Sequence, residues 1–275
     1  MKFKLLKKLS ETPGVSGYEN SIRDLIISEL KKINIDNYKI DNIGNLVVRI
    51  GNGSKSNKKI MIASHMDEIG FAVSKIEENG FVKFQTLGGI DPKTIIASKV
   101  KIHGKKDVLG VIGTKAIHNM SRSERSSLPE MKSLHIDTGL YKKELEKTIK
   151  IGDPISRVEK CEKMGDLITG KSMDNRFAVY TLLKTLKKLK PKKGYDYYAV
   201  FTVQEEVGLR GATAATLNIN PDFSIVLDVT LGEDSIELGK GTVVKMMDGS
   251  AIFHPKFSQF IIKQANKNEI KYQVD

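Results

Sequence analysis

The chain has 275 residues, of which 40% are apolar and 28% charged, and its formal net charge is +12. That is the composition of an ordinary globular protein, long enough for one large domain or two modest ones. No run approaches the roughly 18 consecutive apolar residues of a membrane helix, so no membrane span is expected.

The N-terminal stretch MKFKLLKKLSETPG carries positive charge but lacks the apolar core and cleavage site of a secretory signal. A single cysteine, Cys161, cannot form an internal disulfide and suits a reducing compartment, so a cytoplasmic location is expected. Cys161 reads as a small packed residue rather than a nucleophile. The basic excess is densest at Lys184–Lys193, KTLKKLKPKK. Leu183, Leu186 and Leu189 keep helical spacing through it, which places the lysines on an outer face. No aromatic residues interleave for base stacking, so a solvated helix face is expected and nucleic acid is not.

In chain order, Ser16-Gly17-Tyr18-Glu19 matches a capping box, and Ile22, Leu25, Ile26, Leu30 and Ile33 follow at helical spacing. Leu46–Ile50 and Ile60–Ala63 are short apolar runs suited to buried strands. From Gly70 to about Val158 the pattern becomes β-rich: Phe71–Val73, Phe81–Phe84, Val100–Ile102 and Val108–Ile112, punctuated by Gly88-Gly89 and Asp91-Pro92. Asn119 to Met131, polar and rich in serine and arginine, reads as a mobile loop. Phe177, Tyr180, Leu183 and Leu186 predict a second helix, Tyr198–Val203 and Ser224–Leu227 two further strands, Phe257–Ala265 a last helix and Ile270–Val274 a last strand. Strands separated by helices predict an α/β fold with a mostly parallel central sheet flanked by helices. The middle predicts a small all-β domain inserted into it. The expected boundaries are 1–69 and 166–275 for the two parts of the α/β domain and 70–165 for the insertion.

Four short motifs stand at or just after apolar runs: Ser64-His65-Met66-Asp67-Glu68, Ser172-Met173-Asp174-Asn175-Arg176, Gln204-Glu205-Glu206-Val207-Gly208 and Leu227-Asp228-Val229-Thr230. In open parallel sheets ligands bind beyond the carboxyl ends of the strands, so all four point to one rim. Imidazole and carboxylate are the usual ligands of catalytic zinc. His65 and Asp67, two positions apart in an extended segment, project to one side, and Asp67 could fix the tautomer of His65. Glu205 and Glu206 cannot point the same way from a regular strand, which would let one ligate metal while the other handles protons. Each motif alone has an ordinary reading: a structural histidine, a solvated glutamate pair, an N-cap at Asp174 and a turn at Asp228. Their joint order is what argues for a site.

That order, together with Val203-Gln204-Glu205-Glu206-Val207-Gly208-Leu209-Arg210-Gly211-Ala212, resembles the TET-type aminopeptidases, which are co-catalytic metallopeptidases. So do the opening Glu11–Glu19 and the segment from Asp248 to His254-Pro255. The resemblance covers essentially the whole chain and places that family's β-domain between Asp67 and Asp174. It implies two divalent metal ions per subunit, zinc or cobalt: His65 and Asp228 on one, Asp174 bridging both, Glu206 on the other. It further implies Glu205 as general base, Asp67 orienting His65, peptide substrates, and a homo-oligomer assembled through the inserted domain. In the family a second, late histidine completes the metal bound by Glu206, and a glycine-rich segment follows the last strand. Neither occurs by Asp275, and His103, His118, His135 and His254 are poor substitutes. A non-catalytic remnant that only assembles or binds therefore stands as the alternative to an aminopeptidase. Another metal amidase is disfavoured by the long insertion, and an endoglucanase by the metal-ligand set.

Overall fold

The computed structural model describes residues 3–115, 118, 121–122, 127, 129–232, 236–249 and 251–275. The stretch Asn119 to Met131, read above as a loop, lies largely outside them. Two compact units result, Met1–Asp228 and Val229–Asp275.

The first unit opens with helices α1 (Phe3–Glu11) and α2 (Asn20–Lys31). Ile22, Leu25, Ile26 and Leu30 recur every three to four residues and form the buried stripe of α2. The capping box expected at Ser16–Glu19 does not form. Glu19 occupies the cap position without a side-chain bond to the helix, because its carboxylate and the Ser16 hydroxyl are both taken by tertiary partners.

Strands β1 (Tyr38–Ile40), β2 (Leu46–Ile50) and β3 (Lys58–His65) follow. The next six are β4 (Gly70–Ile76), β5 (Val82–Leu87), β6 (Lys99–His103), β7 (Asp107–Gly113), β8 (His135–Asp137) and β9 (Pro154–Arg157), with helix α3 (Lys142–Thr148) before β9. They close a barrel in the order β4-β5-β8-β7-β6-β9, antiparallel at every pairing. The alternation that a barrel requires is plain in β7, where Val108 and Ile112 are buried while Leu109 and Val111 are exposed. Phe71 and Phe84 meet edge to face inside, with ring centroids 4.8 Å apart.

A hairpin of β10 (Glu162–Met164) and β11 (Leu167–Thr169) leads to helix α4 (Met173–Lys188), strand β12 (Tyr195–Thr202), helix α5 (Arg210–Ile219) and strand β13 (Phe223–Val226). The central sheet runs β1-β2-β12-β3-β13. It is mixed rather than mostly parallel: β12 and β13 run parallel to β3, whereas β1 pairs antiparallel with β2 and β2 with β12. The link from Ile40 to Leu46 is too short for a crossover and makes a hairpin, in which Asp41 Oδ1 accepts the N–H groups of Gly44 and Asn45.

Helices cover both faces. Leu46, Val48, Ala199 and Phe201 pack with the apolar stripes of α1, α2 and α4. Val47 and Val200, which alternate with them along β2 and β12, pack with Met61 and Ala63 of β3 and with Ala215 and Ile219 of α5. On α4, Tyr180, Leu183 and Leu186 are buried as their spacing predicts, but Phe177 is 45% exposed. Cys161 is a buried free thiol.

The second unit holds a helix over Pro255–Lys267 and, among its described residues, two strand pairs: Thr242–Val244 with Tyr272–Val274 in parallel, and Met247–Asp248 with Ala251–Ile252 antiparallel.

Candidate metal centre

Three parallel strands define the rim. In register, His65 at the end of β3 pairs with Thr202 at the end of β12, and Val226 at the end of β13 pairs with Ala63. The chain therefore leaves the sheet three times at one edge, and the segments carrying His65 and Asp67, Glu205 and Glu206, and Asp228 begin side by side. Asp174 arrives from α4. It and Asn175, joined by a cis peptide bond, have non-helical dihedrals, and the N-cap is Ser172 rather than Asp174. Asn175 donates its side-chain amide to Leu227 O at 2.9 Å, and Leu227 N donates to Ala63 O at 2.8 Å. The start of α4 is thereby pinned to the segment that carries Asp228.

The buried imidazole of His65 is the hub. Its Nε2 lies 2.9 Å from Asp174 Oδ1, 3.9 Å from Asp228 Oδ1 and 4.0 Å from Glu205 Oε2. Its Nδ1 lies 3.4 Å from Asp67 Oδ1 and, although buried, has no hydrogen-bond partner of good geometry. Among the described residues, two sets of three side chains each bring one ligand atom within 4.8 Å of the others: His65 with Asp174 and Asp228, and His65 with Glu205 and Glu206. The two glutamates do not diverge as they would from a regular strand. β12 has ended before them, and Gln204 takes a left-handed conformation (φ 54°), so both carboxylates turn toward the imidazole.

Asp67 braces this turn. Its Oδ1 accepts Glu205 N–H at 3.1 Å and its Oδ2 accepts Glu206 N–H at 3.2 Å and the Ser16 hydroxyl at 2.6 Å. Burial works against ionisation of Asp67, but His65 and these donors outweigh it and hold the carboxyl below its ordinary value.

Burial and neighbouring charges shift the remaining groups of the cluster. Burial and the neighbouring Asp174 carboxylate push Glu206 up to about 7. Glu205 is raised, first by burial and then by Asp228 and the other acids around it, against the pull of His65. Burial would lower His65, yet Asp174, bonded to Nε2, and the Asp67 carboxylate beside Nδ1 raise it to about 10. One imidazole and hard carboxylate oxygens are a donor set for divalent cations, and these residues fit such ions.

Beside the centre is an open cavity of about 370 Å³, reaching from Asp174 and Glu206 to Lys171, Arg157 and Glu159. Its wall includes a buried ion pair: Lys171 Nζ meets Glu68 Oε2 at 2.5 Å, with Arg176 Nη2 3.8 Å from Glu68 Oε1. Burial would raise the Glu68 carboxyl, but the two cations hold it low. Ser172 donates its hydroxyl to the same Glu68 oxygen, and Arg176 Nη1 donates to Leu9 O and Thr12 O at 2.6 and 2.7 Å.

All six residues singled out from the sequence thus lie in one neighbourhood. Ser16, Glu19 and Lys171 were not among them. Ser16 and Glu19 matched a helix cap instead, and a lysine in a polar stretch carries no local sign of burial.

Residues 44–275 match the family of M42 glutamyl aminopeptidases. The chain is 34% identical over 286 residues to a lysyl aminopeptidase of Pyrococcus furiosus, an alignment covering 99% of this chain and 80% of that one. The fold superposes on an aminopeptidase from the archaeon Desulfurococcus kamchatkensis with a TM-score of 0.91 and 37% identity, over 99% of this chain and 79% of the other. It also superposes on the TET1 peptidase of Pyrococcus horikoshii, which can assemble into a tetrahedron or a large octahedral shell, with a TM-score of 0.89 and 32% identity, over 98% of this chain and 83% of that one. The chain belongs to the M42 glutamyl aminopeptidase family, and its relatives there are aminopeptidases.

Proposed function

We propose that this protein is a metal-dependent aminopeptidase with a dinuclear centre. His65 and Asp228 would hold one divalent ion, Asp174 would be shared by the pair and Glu206 would hold the other; zinc or cobalt suits these donors. The observation that carries the reading is the approach of Asp174, Asp228, Glu205 and Glu206 to one buried imidazole at the carboxyl ends of three parallel strands. When bound, two such ions supply Lewis acidity toward the scissile carbonyl and make water a stronger acid.

The protein's own groups do the rest. Glu205, a raised carboxyl at the edge of the cluster, accepts a proton from the attacking water and returns it to the leaving amine. Asp67 holds the His65 ring and the backbone of Glu205 and Glu206. The adjoining cavity receives the N-terminal residue of the peptide. We assign the inserted β-domain to residues 70–165 and give it the role of self-association. Leu109 and Val111, 62% and 42% exposed on the outer side of β7, support that role, as does the assembly of the Pyrococcus horikoshii relative. No helix among the described residues is long and apolar enough to cross a membrane, and together with the lone free thiol this supports action in the cytoplasm.

The test is Glu205→Gln. It should cut release of N-terminal residues at least 100-fold or so while metal content stays near two ions per chain. Full turnover by that variant would remove Glu205 from the mechanism.

A further inference from the structure

One loop touches both of the segments that carry the proposed ligands of β3 and β12. It begins at Gly14, whose N–H donates to Glu68 Oε1 at 2.9 Å and whose carbonyl accepts Glu68 N–H at 3.0 Å. Val15 forms a parallel bridge with Glu68, and Ser16 N donates to Glu68 O at 3.2 Å. The loop thus lies along residues 67–68 like a short extra strand. There is no slack behind it: a Cβ on Gly70 would come within 2.6 Å of the Val15 side chain.

Two side chains then leave this loop in different directions. The buried Ser16 hydroxyl donates to Asp67 Oδ2 at 2.6 Å, the oxygen that also accepts Glu206 N–H. The buried Glu19 carboxylate accepts Gly17 N–H at 2.7 Å within the loop and Gln204 N–H at 3.2 Å across to the end of β12. Gln204 is the left-handed residue that turns Glu205 and Glu206 toward His65. A conformation of that kind persists only where its surroundings over-determine it. Glu19 and Asp67 supply that constraint on consecutive N–H groups, those of Gln204, Glu205 and Glu206.

We propose that Ser16 and Glu19 are positioning residues of the metal centre. The loop Gly14–Glu19 fixes the spacing between the His65–Asp67 and Gln204–Glu206 segments, Ser16 acting through Asp67 and Glu19 through the Gln204 amide. Neither residue is among those whose ligand atoms gather around His65. The inference rests on the dinuclear reading above and assigns to this loop the geometry on which that reading depends.

The experiment is a cobalt(II) titration of the full chain and four variants, with melting of the metal-free proteins alongside. Ser16→Ala and Glu19→Ala should each weaken cobalt binding about tenfold or more. Ser16→Thr and Glu19→Gln, which keep the donor and the acceptor, should bind near the wild-type value. Melting of the metal-free alanine variants should fall by no more than about 4 °C. Wild-type affinity in both alanine variants overturns the inference. So does weak binding shared by the conservative variants together with a large fall in melting temperature, which would mark the loop as structural only. Failure of the wild-type chain itself to bind cobalt would instead sink the dinuclear reading, and the two failures are distinct.

Discussion

His65 Nε2 and Asp174 Oδ1 lie 2.9 Å apart, although 109 positions separate them in the chain. Nearly all of the intervening chain is spent on the barrel, the β10–β11 hairpin and their connections. The contact is therefore made by folding over a large closed loop, and it is held by the cross-links at Glu68, Lys171 and Asn175 on either side.

Metal binding should release protons. Without a cation His65 keeps its proton up to about pH 10 and Glu206 up to about pH 7, and both must lose it to ligate. Uptake of the ions should expel about two protons at pH near 6 and about one at pH near 8.5, with affinity rising across that window. Calorimetry in buffers of different ionisation enthalpy measures this. Both folded values are raised, so their contributions to stability are present at low pH. That of Glu206 is lost as pH rises through about 7 and that of His65 through about 10. The metal-free protein should accordingly melt lower at pH 8 than at pH 6.

The Glu68 carboxylate is the common partner of Lys171, Ser172, Arg176 and Gly14 N–H. Glu68→Ala would leave two buried cations without their acid, at a cost of about 3–5 kcal/mol. Urea unfolding should show that loss. The paired change Glu68→Gln with Lys171→Met should cost clearly less than Glu68→Ala, because only Arg176 then lacks a charge partner.

Leu109 and Val111 face outward from the barrel on alternate positions of β7. Leu109→Glu with Val111→Lys should shift the protein to smaller species in sedimentation velocity while leaving the metal affinity of each chain unchanged. An unaltered assembly would place the association surface elsewhere.

How much of this was legible beforehand varies with the reach of the signal. The α2 stripe and the buried strand runs are local patterns, and they appear where their periodicity put them. His65, Asp174, Glu205, Glu206 and Asp228 stood out because each follows an apolar strand or opens a helix, and the sheet then aligns those ends by register. The mixed character of the sheet comes from β2, which runs antiparallel to both β1 and β12: no helix separates it from β3, and its hairpin partner Tyr38-Lys39-Ile40 has no fully buried position and so no apolar run to announce it. Ser16 is ambiguous in the sequence because Ser-x-x-Glu is equally a helix cap. Its true partner lies 51 positions away, and no local rule could choose between the two. The convergence of Glu205 and Glu206 was misjudged for a related reason: strand geometry was carried past the point where β12 ends, and a single left-handed residue reversed the conclusion.

The proposed dinuclear centre requires the side chains around His65 to grip a pair of divalent cations, with Asp174 shared between them. Cobalt(II) titration of the wild-type chain and of Asp174→Ala, read by ligand-field absorption and by release of N-terminal residues from short peptides, addresses it most directly. Two ions per wild-type chain, with both ions and the activity lost in Asp174→Ala, is the predicted result. Peptidase activity that persists at full rate in Asp174→Ala, or in a wild-type chain stripped of metal, would exclude the dinuclear centre.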